Sequence, residues 1–342
     1  MKQILNLSKL VLVAALLLTV NQAFSAVLTV SNNTAISAQY TSVPAAVTAA
    51  NPGDTIYIHG SPSGYGDVYI NKKLVIIGPG YSPTNPTGNA AVVGYFYLDT
   101  LNGVSGSSGT YIAGMYFNAL SVTGNYNSHI LSNVTLRRNQ ISSYLYIGSS
   151  NTEVHNWVVL ENLINYISYS INNTTSTNIL INNNILSYSY NIYKSIFTNN
   201  VVYNNPTFSY CTVQNNIFVT PANTNNTSDH NTFNNNLFSS AITFTNGTNI
   251  FSPVNQATTN SDPQFVGGNA TSYLSISDYH LKPASYGHTN PGTDGLDLGI
   301  YGGTGFLWGG TPPVPMIYFY NLKPNYVQSN GTLNITVSVK NQ

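Results

Sequence analysis

Six short lines between Asn133 and Ser239 share one pattern: NVTLRRNQIS, NWVVLENLIN, NILINNNILS, KSIFTNNVVY, SYCTVQNNIFVT and HNTFNNNLFSS. Each aligns on one asparagine: Asn139, Asn162, Asn184, Asn200, Asn216 and Asn236. Three residues before the anchor stand Leu136, Val159, Ile181, Phe197, Val213 and Phe233. Two residues after it stand Ile141, Ile164, Leu186, Val202, Phe218 and Phe238. The anchors are 23, 22, 16, 16 and 20 residues apart. Helical repeats keep a fixed length and a period of about 3.6 residues, so this variable spacing speaks against them. Inside the lines the apolar residues alternate: Val134 with Leu136, Trp157 with Val159, Ile179 with Ile181, Cys211 with Val213. Period two means a strand with one buried face. A single line is too short to bury that face. Successive lines must therefore stack in parallel at about 4.8 Å per coil, with surplus residues bulging out as loops.

The anchor asparagine has two tasks in such a stack. A coil turns sharply between two strands, and asparagine enters the left-handed backbone region more readily than most residues, so the anchors are expected to make the turn. Stacked side-chain amides are also expected to hydrogen-bond from coil to coil.

In chain order, Lys2 and Lys9 precede an apolar run from Leu10 to Val20, and small residues follow at Ala23, Ser25 and Ala26. Residues 1–26 read as a secretory signal peptide, with the mature chain secreted or held at the cell surface. The apolar run is too short for a comfortable membrane span, and no insertion of the mature chain is expected. Val27 to Tyr40 read as a polar lead. Residues 42–50 carry Ala and Val at helical spacing and stop at Pro52-Gly53, which predicts a helix capping the first coil and protecting its open sheet edge. Two coils, AAVVGYFYLDT and GTYIAGMYFNALSV, precede the ladder, and less regular coils follow it. TPPVP breaks the pattern at Thr311 to Pro315, and 311–342 read as a short C-terminal β appendage in which Leu333, Ile335, Val337 and Val339 alternate with polar residues.

The whole pattern resembles the secreted right-handed parallel β-helix proteins of the pectin-lyase-like superfamily. The resemblance rests on the ladder and on two flanking segments. The first, DTIYIHGSPSGYGDVYINKKLVIIGPG, follows a helix with the Ala46 and Ala49 spacing and holds Asp54, Tyr65, Gly78 and Gly80. The second, with Asp262, Phe265, Tyr279, Leu281, Asp297 and Tyr301, is similar to the closing turns of such proteins. The expected fold is all-β: one parallel β-helix over 27–310, of about ten to eleven coils and roughly 50 Å. Much of that superfamily acts on acidic polysaccharide.

Only 6% of the residues are charged and the formal net charge is zero. That speaks against nucleic acid as a partner, which needs clustered Lys and Arg, and against electrostatic attachment to an anionic membrane. Cys211 is the single cysteine, so no intrachain disulfide is possible. It falls at an inward position and reads as a small buried apolar residue.

The superfamily's glycosidase and lyase motifs are missing, and the residues offer three weaker features. Arg138 and Glu161 each stand one residue before an anchor and become vertical neighbours in the stack. With Arg137 and His155 they form either an acid–base patch or an exposed ion pair worth under about 1 kcal/mol. Tyr144, Tyr146, Tyr166, Tyr169, Tyr188 and Tyr190, followed by Tyr193 and Tyr203, come after the anchors on successive coils. They are expected to form an aromatic strip suited either to stacking on sugars or to plain cross-strand packing. Asp294 and Asp297, with Asp262 and Asp278, are candidate calcium ligands or turn residues. No cofactor is required by these features. Two functions compete: non-catalytic binding or adhesion to a polysaccharide or cell-surface glycan, and a polysaccharide lyase or glycoside hydrolase with a diverged site.

Overall fold

The computed structural model describes residues 25–81, 89–99, 106–123, 129–149, 152–169, 176–204, 206–219, 225–226, 228–239, 243–244, 247–251, 262–268, 277–312, 316–318 and 338–340. The signal-peptide reading falls outside them, apart from its last two residues.

The chain is a parallel β-helix. One sheet has eleven strands and a second has nine, and every pairing within them is parallel. Short two-stranded pairs, such as His129–Ser132 with Thr152–His155, form a third face. The residues three before and two after the anchors all point inward and are buried, which makes one continuous core along the coils. Each buried Leu, Ile or Phe stabilises by about 1.5–3 kcal/mol, so the repeated alternation is the main source of stability. The segment read as a polar lead supplies the first strand, Val27–Val30, which pairs with Thr55–Ile58. The alternation Val27, Leu28, Thr29, Val30 was enough to seat it. The helix forms at Val43–Ala49, capped by Ser42, and buries Val43, Ala46 and Val47 against the first strands.

The asparagine ladder forms, with a different division of labour. Each anchor Nδ2 donates to the Oδ1 of the next anchor: Asn139 to Asn162, then Asn184, Asn200, Asn216 and Asn236, at 2.9–3.1 Å. Each anchor N–H donates to the same oxygen. The left-handed turn, however, is made by the residue before the anchor: Arg138, Glu161, Asn183, Asn199, Asn215 and Asn235 all have positive φ, and the anchors do not. The anchor is left free of the turn, and its buried amide points into the stack.

Among the described residues after Phe251, none adds a strand to the two long parallel sheets. Residues 291–312 run back along the outside of the solenoid as a strap. The left-handed residues grip it. Asn235 donates to the Pro291 carbonyl, Asn215 exchanges hydrogen bonds with Thr293, and Asn183 donates to the carbonyls of Ile300 and Gly302. Arg138 donates to Thr311 at 3.1 Å, and the Tyr81 N–H donates to Gly309 at 2.8 Å. Beneath the strap lies an outward apolar row, Leu163, Ile185, Val201, Ile217 and Leu237. It forms a second core with Leu298, Ile300, Phe306, Tyr279 and Tyr81. Gly310 closes the strap with φ +64, where an added Cβ would overlap the Tyr81 ring. Gly310→Ala is expected to lift the strap end and cost about 1–3 kcal/mol. Limited proteolysis should then cut within 291–312 well before the coils.

Of the C-terminal appendage, Met316–Tyr318 and Ser338–Lys340 pair antiparallel. The rest of the predicted alternation lies outside the described residues.

Candidate functional site

Arg137 is the last residue of a strand in the eleven-stranded sheet, and Arg138 follows it into the left-handed turn at φ 55. Glu161 makes the same turn one coil later at φ 57. Left-handed backbone costs a side chain of this kind roughly 1–2 kcal/mol, and the equivalent turns elsewhere use Gly114 or asparagine. What offsets that cost is a buried ion cluster. Arg137 Nε and Nη2 donate to Glu161 Oε1 at 3.0 and 2.7 Å, and Arg138 Nε donates to Oε2 at 2.5 Å. The Glu161 side chain is only 2% exposed, Arg138 9% and Arg137 27%. An exposed pair was one expectation; the strap end at Gly310–Thr311 seals this one instead. Two cations against one carboxylate leave a net positive charge beneath the strap. Burial first, then the Glu161 charge, pushes the neighbouring Tyr81 phenol well above its usual range. A carboxylate with both oxygens engaged and almost no solvent contact is poorly placed to exchange a proton with a substrate. Its geometry is that of a clamp.

His155 does not join this cluster. It lies on the third face, with Nδ1 2.9 Å from Thr177 Oγ1 and Nε2 3.4 Å from Glu153 Oε2. The strand Val158–Leu160 separates it from Glu161. The four candidate catalytic residues therefore form two separate groups.

The aspartates are also dispersed. Asp294 accepts from the N–H groups of Leu296 and Gly303, while Asp297 faces His288 at 2.8 Å. Asp262 closes onto Gln264, and Asp278 lies 2.6 Å from His280. Among the described residues no three His, Cys, Asp or Glu side chains come together to hold a metal ion. Cys211 is buried as expected, and burial pushes its thiol up to about 12.

The tyrosines do assemble, on the outer face of the nine-stranded sheet. The register aligns Tyr144 with Tyr166 and Tyr188 on three neighbouring strands, and Tyr146 with Ser168 and Tyr190 in the next row. Tyr144 stacks on Tyr146 at 5.4 Å and meets Tyr166 edge-on at 5.2 Å. Three of the expected members fall elsewhere, Tyr193 among them, on the separate short strand Ile192–Tyr193 that pairs with Phe208–Ser209. Tyr169 pairs in register with Ile147, points into the lumen and hydrogen-bonds Ser195; it stands three residues after outward Tyr166, and strand alternation puts the two on opposite faces. Tyr203 lies under the strap with its hydroxyl on Tyr279.

The face also reaches further toward the N-terminus than the repeat suggested. Tyr95 and Tyr97 stand in the same two rows, and Tyr69 pairs with Tyr97, stacked at 4.5 Å. The alternation Tyr95, Phe96, Tyr97, Leu98 carries that signal, outside the asparagine-anchored lines. Between Tyr95 and Tyr144 the row passes through Ala119, which is completely buried, so the rings close over the small residue.

The chain matches no family model, no curated protein and no solved structure to which it was compared.

Proposed function

We propose that this protein is a secreted or surface-held β-helix that binds polysaccharide through its tyrosine face without transforming it. One observation carries the reading: two aligned rows of tyrosines stand outward on a flat sheet, with Tyr69, Tyr144, Tyr146, Tyr188 and Tyr190 exposed. Rings with an apolar face and a polar tip suit the faces and hydroxyls of sugars, and a rigid sheet holds them with little entropy left to lose on binding. Secretion is inferred from the N-terminal segment and kinship with pectin-lyase-like proteins from the ladder and its flanks.

Pull-down of the mature protein on a panel of insoluble polysaccharides tests the proposal. Tyr144→Ala with Tyr188→Ala is expected to leave the melting temperature nearly unchanged and weaken capture by about tenfold, as the loss of two aromatic contacts implies. Absence of capture by every polysaccharide would remove the proposal. So would unsaturated product from pectin, alginate or chondroitin, which would make the protein a lyase.

A further inference from the structure

The rows of rings have a direction. Outward positions of six neighbouring strands, from Val68–Ile70 to Ile185–Tyr190, contribute to them. Five strand intervals of about 4.8 Å make a platform of roughly 24 Å along the solenoid axis. Along any one strand the rings extend over two positions only, such as Tyr144 and Tyr146. The strap runs in the same axial direction over the adjoining row Leu163 and Ile185, so it borders the platform on one side as a ridge. A linear polymer gains most contact by lying across the strands, parallel to that ridge.

The platform also has a charge character. Tyr146 is held above the ordinary phenol range by burial first and then by Tyr144, Tyr166 and Tyr95. Tyr97 is raised likewise, by burial first, then by Tyr69 and Asp67. These two phenols therefore stay neutral well past neutral pH. An ionised group set beside them is Asp67, fixed by accepting the Tyr95 N–H at 2.9 Å. Most basic side chains of these coils are engaged elsewhere: Arg137 and Arg138 with Glu161, Lys72 on the carbonyls of Thr48 and Ala50, and Lys194 over the Tyr193 ring, while Lys73 is exposed in the turn after Ile70 with its stem beside Gly109. A polyanion laid on the platform meets the Asp67 carboxylate beside the rings, an arrangement that selects against it.

Building on the polysaccharide reading, we infer that the face takes an uncharged polysaccharide, laid along the solenoid axis from Tyr69 to Tyr190, and that Asp67 discriminates against acidic chains.

Calorimetric titration of the mature protein with cello-, xylo-, manno- and laminari-oligosaccharides of increasing length, beside oligogalacturonate and alginate oligomers, tests this. Affinity for one neutral series is expected to rise with length up to the roughly 24 Å of the platform and then level off. Tyr69→Ala at one end and Tyr190→Ala at the other are each expected to weaken the longest neutral chain by roughly two- to tenfold. The shortest binding chain should respond to at most one of them. Asp67→Asn should raise the affinity for acidic oligomers relative to that for neutral ones. Equal or tighter binding of the acidic series to the unaltered protein overturns the inference and leaves the polysaccharide reading standing. So does an affinity independent of length, or a long chain sensitive to only one end. Binding to neither class removes the underlying reading itself.

Discussion

Glu161→Ala is expected to destabilise the protein by about 3–5 kcal/mol, because it strands two arginines beside each other with the strap above them. Arg137 keeps partial contact with solvent, but Arg138 is nearly sealed and holds Thr311. A charge that loses its partner in such a place costs far more than an exposed ion pair is worth. The decisive comparison is the double variant Arg138→Asn with Glu161→Asn. It puts into both turns the residue that Asn183, Asn199, Asn215 and Asn235 already use there. The double variant is expected to recover much of the lost stability, since it removes the more buried arginine together with the carboxylate, leaves only the partly exposed Arg137, and relieves two strained turns. Urea denaturation of the three proteins checks this. A double variant no more stable than Glu161→Ala would mean that the cluster is needed for the fold itself.

The second large effect is expected at the middle of the ladder. Asn184 Oδ1 accepts from the N–H and the amide of Asn162, and its Nδ2 donates to Val159, Asn182 and Asn200. Asn184→Ala leaves the Asn162 N–H and the Val159 carbonyl buried without these partners. At about 1–3 kcal/mol for each such group, a loss of about 3–5 kcal/mol follows. Asn184→Asp separates donor from acceptor. It keeps the acceptor but turns a carboxylate toward the Val159 carbonyl and Asn200 Oδ1, so its folded pKa should rise above the unfolded value of about 3.9. Stability of this variant is then greatest below that value and falls as pH rises. Thermal melts should show the aspartate variant at least as damaged as alanine at neutral pH, and less damaged near the unfolded carboxyl range. A pH-independent deficit would count against the donor role.

The fold was legible because its signals repeat. Leu136, Val159 and Ile181 announce a buried row by recurring at one offset from an anchor, and no distant contact is needed to place them. The turn residue was harder. Lines such as INNNIL and TNNVV hold consecutive asparagines, and only backbone geometry shows that the earlier one turns while the later one stacks. Arg138 and Glu161 concealed the column further by breaking it in the first two lines. The clamp they form was invisible for another reason: its lid, Thr311, lies 173 residues from Arg138. The outward row did leave a trace. Leu163 with Ile164, or Ile185 with Leu186, places an apolar residue on each face of one strand, which requires a cover without naming it. The tyrosine face was legible in part: Tyr166 and Tyr169 are three residues apart, so strand alternation keeps Tyr166 outside and sends Tyr169 inward.

A stack of coils in which each touches only its neighbours can peel from either end, one turn at a time. The strap removes that freedom here. It is bonded to Asn235 near the end of the ladder, to Asn215 and Asn183 along the way, and to Arg138 and Tyr81 far up the stack. The coils between Tyr81 and Asn235 are thus tied to one segment as well as to their neighbours. The strap thereby couples the coils it crosses, and a stretch built as a linear array is expected to unfold together rather than one turn at a time.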